Sequence, residues 1–290
     1  MKNWYEVKMD DNSNTLISTD WLAYNLKNPN VRIIDASWYL PDMNRNAKDE
    51  YDKEHIPGAR FFDIDEICDL RSKLPHMVPP PEKFVSRIRA LGIGDNHKIV
   101  IYDGEGLFSA ARVWWLFKLM GKEKVSVLNG GFPKWLREGH PTDNKDVVMR
   151  DQHFTAELRE ALVKDVTQVS AASKLGDHEI LDARGPERFL GLAPEPRKGL
   201  RAGRIPGSKN IHYKRLLNDD GTMKDKDSLS NIFKNAKIDF GKSIITTCGS
   251  GVTAAILSLA LEIIGQKNHS LYDGSWTEWG QFEQLPIEVG

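Results

Sequence analysis

The second half of this chain repeats the first, and this internal repeat constrains the fold more than any other feature of the sequence. Four segments recur in the same order: residues 33–36 with 180–183, 55–59 with 204–208, 99–106 with 244–251, and 129–131 with 272–274. Because the two members of each pair lie nearly the same distance apart along the chain, the repeat indicates a duplicated domain. A chain of 290 residues has room for two domains of ordinary size.

Each half alternates short β-branched runs with longer apolar segments. The predicted strands cover residues 31–34, 99–102 and 125–128 in the first half and 179–181, 243–247 and 270–272 in the second. The predicted helices cover residues 109–120 and 253–264, and each stops at a glycine. This alternation predicts an α/β fold, with a mainly parallel sheet and helices on both faces in each domain.

The repeat also divides the chain. We expect a non-catalytic N-terminal domain over residues 1–140, a polar linker over 141–164 and a catalytic C-terminal domain over 165–290.

Composition excludes several classes of protein. The 40 lysine and arginine residues nearly balance the 41 aspartate and glutamate residues, so we expect no nucleic-acid partner. Residues 1–20 lack the apolar core of a secretory signal, and no apolar run is long enough to span a membrane. Two isolated cysteines, Cys68 and Cys248, support neither a disulfide framework nor a metal site and indicate the cytoplasm.

Cys248 is the candidate nucleophile. It follows a predicted strand and precedes Gly249, Ser250 and Gly251 and then a helix, a pattern whose backbone N–H groups can cradle an anion. Such a cradle favours a thiolate. A buried cysteine beside an ordinary turn is the alternative, but the first half keeps the glycines and carries Asp103 in place of the cysteine. That difference indicates one active and one inactive copy.

The segment 248–254, Cys-Gly-Ser-Gly-Val-Thr-Ala, resembles the active-site loop of 3-mercaptopyruvate sulfurtransferases of the rhodanese superfamily, and segments 61–65, 204–207 and 272–276 also match. The resemblance covers residues 15–285 and implies two tandem rhodanese-like domains, of which only the second is catalytic. It further implies that the sulfur of 3-mercaptopyruvate passes to Cys248 as a persulfide, with release of pyruvate. A small thiol, cyanide or thioredoxin would accept the sulfur, with no metal or organic cofactor.

The same resemblance implies roles for individual side chains. Arg188 and Arg197 match the arginines that hold the donor's carboxylate and ketone, groups that guanidinium binds well. Arg184 and Arg201 have no such match, and we expect them to be structural or on the surface. The remaining predicted contacts to the substrate and the persulfide come from the loop residues Gly249, Gly251, Val252 and Thr253.

A proton relay is also implied by the resemblance. Its members would be Ser250, His76 and Asp65, with Asp63 as the competing choice for the acid. A hydroxyl, an imidazole and a carboxylate in line can exchange protons because the carboxylate orients the imidazole. We expect Cys68, the second cysteine, to be packed rather than reactive.

Other activities occur on related folds, and the sequence of the loop after Cys248 favours some of them over others. Gly249 and Ser250 supply no cation next to Cys248, which favours an organic donor over thiosulfate. A phosphatase would need a loop arginine, and none follows Cys248 before Leu261. A thiosulfate:cyanide sulfurtransferase and a non-catalytic rhodanese-like binding module remain the alternatives.

Overall fold

The computed structural model describes residues 15–290, which form two five-stranded sheets. The strands of the first sheet are β1 (Leu16–Ile17), β2 (Val31–Asp35), β3 (Ala59–Phe61), β4 (Lys98–Tyr102) and β5 (Val125–Leu128). Those of the second are β6 (Val163–Lys164), β7 (His178–Asp182), β8 (Lys209–Asn210), β9 (Ser243–Thr247) and β10 (His269–Tyr272). The orders β1-β5-β4-β2-β3 and β6-β10-β9-β7-β8 correspond strand for strand, and every pairing within the sheets is parallel.

Helices cover both faces of each sheet. Those of the first half are α1 (Thr19–Asn25), α2 (Ala47–Lys53), α3 (Pro81–Ala90), α4 (Ala110–Leu119) and α5 (Gly131–Arg137). Those of the second are α6 (Val166–Leu175), α7 (Pro186–Phe189), α8 (Lys226–Asn235), α9 (Ala254–Ile264) and α10 (Ser275–Trp279). Along β4, Ile99 and Ile101 pack into one apolar cluster and Val100 and Tyr102 into another, as expected for a sheet buried on both faces. The predicted fold is confirmed.

The predicted central strands and helices agree with the observed ones to within one or two residues. The glycines end the two helices as expected, with φ of 86° at Gly121 and 90° at Gly265. Strands β1, β3, β6 and β8 were not predicted, because two or three residues at or near a sheet edge carry no periodic pattern.

The end of the predicted linker, residues 141–164, differs from the expectation of a segment outside the two domains. Its last two residues, Val163 and Lys164, form β6 and pair with β10 in the second sheet. Earlier in the segment, Phe154 is buried against Phe84 and Phe117 of the first half. The second half of this segment is therefore packed against folded structure, Phe154 against the first domain and β6 against the second sheet.

One apolar cluster spans the two halves. Helix α4 packs against α9, and side chains of both helices belong to a single buried cluster that also includes Cys248. This packing brings residues of the first half to the loop that follows β9. Within residues 15–290, no helix combines the length and the apolar character needed to cross a membrane.

Candidate active site

Cys248 lies at the carboxyl end of β9, in the loop that leads to α9. Only 2% of the residue is exposed. Its backbone N–H donates to the Oγ of Ser275, and its carbonyl accepts from the N–H of Trp276 (3.0 Å). The next carbonyl, that of Gly249, accepts from both the N–H and the Oγ1 of Thr277. The start of α10 therefore fixes the backbone on both sides of the Cys248 side chain.

The N–H groups that follow Cys248 in the loop, unlike these carbonyls, have no hydrogen-bond partner in the protein among the described residues. They belong to residues 249–253. In the first half, the carboxylate of Asp103 accepts the corresponding kind of bond, from the N–H groups of Glu105 (2.9 Å), Phe108 (2.7 Å) and Ala110 (2.8 Å). Burial raises the pKa of Asp103, against the lowering effect of these bonds. In the first domain, the loop N–H groups are therefore bound by the carboxylate of Asp103. In the second domain, the corresponding N–H groups are available to an anion.

A cavity of about 450 Å³ opens beside Cys248. The first half contributes Trp38, Leu40, Pro41, Asp42 and Phe108 to its wall, and the second half contributes Arg188, Arg197, His212, Tyr213, Cys248, Ser250, Val252 and Thr253, among others. A buried contact of Val252 with Ile64 and Phe108 closes one side of the cleft. The structure therefore brings the predicted nucleophile, its loop and both predicted arginines into a single site between the domains.

Arg188 is held by a carboxylate that the sequence did not single out. Glu195, whose side chain is 1% exposed, forms ion pairs with both Arg188 and Arg184. Arg184 is itself buried, pairs with Asp182 at 2.6 Å and stacks over the ring of Trp276. This chain of paired charges fixes the Arg188 guanidinium beside Gly249, where it lies 3.2 Å from the position that a Cβ would occupy.

Arg197 has a different environment. It lines the same cavity but forms no ion pair within residues 15–290. Burial lowers the pKa of Arg197. Arg197 is therefore a cavity cation whose charge is not neutralised by a carboxylate within residues 15–290.

His76 and Asp65 are brought together, and Asp63 is not part of the contact. The Nδ1 of His76 lies 2.8 Å from Oδ1 of Asp65, whereas Asp63 caps the backbone N–H groups of Asp65 and Glu66. Burial acts to raise the pKa of Asp65, but the His76 contact and the bond from Trp38 outweigh it, so the pKa is lowered.

Ser250 and His76 are not joined by a hydrogen bond among the described residues. Ser250 lines the cavity, and His76 is buried with its Nε2 lacking a protein partner in that part of the chain. Trp38 lies between the two regions, because it lines the cavity, contacts the His76 ring edge-on at 4.8 Å and donates to Asp65.

Several residues at the site were missed by sequence reasoning. Glu195 carried a usable signal, because it is an acid between two arginines of the cavity wall. Trp38 and Ser275 carried none that distinguishes them from other buried aromatic or strand-end residues. Cys68 is buried, as expected, with its Sγ 3.1 Å from the carbonyl oxygen of Asp65.

Comparison with known proteins places this geometry in a family. The sequence matches the rhodanese-like domain family twice, over residues 18–138 and 165–282. The chain belongs to the rhodanese family. Its two matches confirm the tandem arrangement that the internal repeat predicts.

Full-length relatives carry the assignment further. The 3-mercaptopyruvate sulfurtransferase of Escherichia coli is 42% identical over 273 residues, covering 94% of this chain and 97% of the relative. The thiosulfate sulfurtransferase of Cricetulus griseus is 41% identical over 281 residues, covering 94% of each. The crystal structure of the 3-mercaptopyruvate sulfurtransferase SseA from Escherichia coli superposes with a TM-score of 0.83 at 40% identity, covering 90% of this chain and 98% of that one. This rhodanese is therefore a sulfurtransferase, and the alternative of a non-catalytic binding module is set aside.

Proposed function

We propose that this rhodanese transfers the sulfur of 3-mercaptopyruvate to Cys248 as a persulfide and then to a thiol or cyanide acceptor, releasing pyruvate. The observation that carries the proposal is the position of Cys248, which lines one cavity with Arg188 and Arg197 and precedes the N–H groups of residues 249–253, which have no protein acceptor in the described chain. Relatives named for this donor support it.

In the first step, the thiolate of Cys248 attacks the thiol sulfur of the donor. A sulfur–sulfur bond forms as the carbon–sulfur bond breaks, and the bonding electron pair stays on carbon as the enolate of pyruvate. The enolate takes up one proton, equivalent to the donor's thiol proton, so that Cys248 is left as an anionic persulfide. Arg197 binds the donor carboxylate, and Arg188 stabilises the charge that develops on the ketone oxygen.

Ser250 delivers the proton in this scheme, with His76 and Asp65 as its relay. The lowered pKa of Asp65 keeps its carboxylate ionised at neutral pH, so that it can fix the orientation of the His76 imidazole. The first domain, which lacks a nucleophile, thus contributes the proton-handling groups to a site built on the second domain.

The loop N–H groups of Gly249, Gly251, Val252 and Thr253 then stabilise the persulfide anion, as the N–H groups of the first half stabilise the Asp103 carboxylate. An acceptor thiolate or cyanide attacks the outer sulfur, and the Cys248 thiolate leaves. We propose thioredoxin or a small thiol as the acceptor. We further propose that this protein is located in the cytoplasm, since isolated cysteines suit a reducing compartment.

Thiosulfate is the competing donor, because relatives of similar identity are named for it. Glu195 pairs with two of the three arginines that line the cavity in the described chain, Arg184 and Arg188, and no cationic residue directly follows Cys248 in the sequence. Both features favour the singly charged organic donor. The test is kcat/KM for each donor, with pyruvate release measured in parallel. We expect the higher value and stoichiometric pyruvate with 3-mercaptopyruvate; a higher kcat/KM for thiosulfate would assign the second donor instead.

Substitution at Arg197 tests the binding role directly. Arg197→Met is expected to raise KM for 3-mercaptopyruvate by at least about tenfold, because an unpaired cation that faces the substrate is lost. Arg201→Met is the matched control, since Arg201 donates only to carbonyls at the end of α10 and beyond it.

A further inference from the structure

A buried ion pair crosses the domain interface directly behind the nucleophile loop. Arg112 belongs to α4 of the first domain and is 0% exposed, and its Nη2 lies 2.6 Å from Oδ1 of Asp273, which follows β10 of the second domain. The other carboxylate oxygen of Asp273 accepts from the backbone N–H of Val78 (2.8 Å). Each domain therefore supplies one charge of the pair, and the first domain adds the N–H group of Val78.

The same guanidinium holds the proposed relay. Nη2 of Arg112 also donates to the backbone carbonyl of His76 over 2.6 Å. His76 has a φ of 60°, in the left-handed region that residues other than glycine rarely adopt, so its neighbours must hold that conformation. With the carbonyl of His76 on Arg112 and the N–H of Val78 on Asp273, the pair fixes the backbone on both sides of Met77.

The pair also contacts the loop that carries the nucleophile. A Cβ placed on Gly251 would lie 3.0 Å from Nη1 of Arg112 and 3.1 Å from the carbonyl oxygen of Asp273. Gly251 has a φ of 77°. The guanidinium therefore packs against the bare backbone of the loop on one side and holds the His76 backbone on the other.

We propose that Arg112 is a positioning residue for sulfur transfer, which acts through His76 and is held in place by Asp273. The inference rests on the proposed role of His76 in the relay. It assigns a function to α4 of the first domain, since this helix would fix the position of the His76 backbone relative to the loop that carries Cys248. Nε and Nη1 of Arg112 have no hydrogen-bond partner in residues 15–290, so the contacts to His76 and Asp273 are the hydrogen bonds that orient it.

The decisive experiment is a double-mutant cycle between Arg112→Lys and His76→Ala, read out as kcat and KM for 3-mercaptopyruvate. Lysine keeps the charge but cannot reach both oxygens in the geometry of the guanidinium. We expect Arg112→Lys to lower kcat by about 10-fold to 100-fold with little change in KM. The reason is that a misplaced His76 affects the chemical step and not the binding of the donor. In the His76→Ala background the same substitution should change kcat by less than about twofold, because the group it positions is gone.

Arg60→Lys is the matched control. Arg60 is also a buried arginine of the first domain, but it donates to the carbonyls of Leu91 and Gly58, away from the cleft. We expect it to lower the melting temperature with kcat retained. Should Arg112→Lys fail to fold, Asp273→Asn replaces it in the cycle, because asparagine keeps an acceptor oxygen for Val78 while the charge is removed.

The outcomes separate the two proposals. A folded Arg112→Lys protein with wild-type kcat, or one whose loss of kcat is the same in both backgrounds, overturns the positioning role and leaves the relay intact. A His76→Ala protein with wild-type kcat overturns the relay and the positioning role that depends on it, while persulfide formation at Cys248 is judged separately by mass. Loss of kcat in both single variants, without further loss in the double variant, supports both.

Discussion

The backbone N–H of Cys248 donates to the Oγ of Ser275 over 3.2 Å. Ser275 is itself held, since its Oγ donates to the carbonyl of Tyr272 and its φ of 51° lies in the left-handed region. The adjacent N–H groups of Trp276 and Thr277 donate to the carbonyls of Cys248 and Gly249, respectively. The loop that carries Cys248 is therefore anchored through its backbone to the segment after β10, and the N–H groups of residues 249–253 have no protein acceptor among the described residues.

Substitution of Ser275 tests this anchor. Ser275→Ala leaves the buried N–H of Cys248 without an acceptor, and we expect the free energy of unfolding to fall by about 1–3 kcal/mol. Because the loop loses a point of attachment beside the nucleophile, kcat should fall as well, measured with saturating donor. Ser270→Ala is the control: Ser270 is a buried serine of β10 whose Oγ bonds the carbonyl of Ile244. Equal effects of the two variants on kcat would contradict the anchor.

Removal of the Glu195 charge should weaken donor binding and stability together. Glu195→Gln leaves the buried guanidinium of Arg184 undercompensated and releases Arg188, so we expect a loss of about 3 kcal/mol in unfolding free energy. KM for the donor should rise, because Arg188 loses its fixed orientation. The control Glu288→Gln removes a carboxylate that pairs with Arg204 and is 46% exposed, and it should change stability by less than about 0.5 kcal/mol. A Glu195→Gln protein with wild-type KM would rule out the orienting role.

The Asp103 carboxylate should stabilise the first domain by filling its loop. Asp103→Asn replaces one acceptor oxygen by an NH₂ group that faces backbone donors, and we expect it to destabilise the fold by about 2 kcal/mol, measured by urea unfolding. Asp146→Asn, at an exposed position of the linker segment, is the control. If the two substitutions were equally tolerated, the loop would not depend on an anion.

Asp35 should make stability depend on pH. Burial raises its pKa to about 6, against the lowering effect of its bonds to Ser37 and Tyr102. Because the folded-state pKa lies above the unfolded one, the stabilising contribution of the protonated form is complete below 3.8 and is lost as the pH rises through about 6. The total change is about 3 kcal/mol.

The measurement is the free energy of unfolding in urea at pH values on both sides of about 6, for the wild type and Asp35→Asn. The variant has no carboxyl group at this position, so the difference between the two proteins should follow the titration of Asp35. In the second domain the corresponding Asp182 is paired with Arg184, where the first domain has Ser37. An identical pH dependence of the two proteins would show that Asp35 does not titrate in this range.

The repeat made much of the fold predictable. Because each central strand occurs twice with similar neighbours, residues 99–102 and 243–247 could be assigned together, and both assignments agree with the structure. The short strands β1, β3, β6 and β8 could not be predicted, because their pairing depends on the sheet beside them. For the same reason the predicted linker extended into β6.

The candidate site could be predicted from the sequence where its residues lie within one local segment. The loop after β9 is continuous in sequence, and a cysteine among glycines at a strand end could be identified from the chain alone. The contact of Arg112 with the His76 carbonyl and Asp273 depends on how α4 packs against α9, and no local pattern encodes that packing. The link between Ser250 and His76 stays a prediction.

We propose Cys248 as the residue that carries the transferred sulfur. The most direct test is the intact mass of the protein after incubation with 3-mercaptopyruvate, without reductant, for the wild type, Cys248→Ser and Cys68→Ser. We expect a gain of one sulfur atom in the wild type and in Cys68→Ser, with none in Cys248→Ser. A gain of sulfur that persists in Cys248→Ser, or no gain in fully reduced wild-type protein, would contradict it.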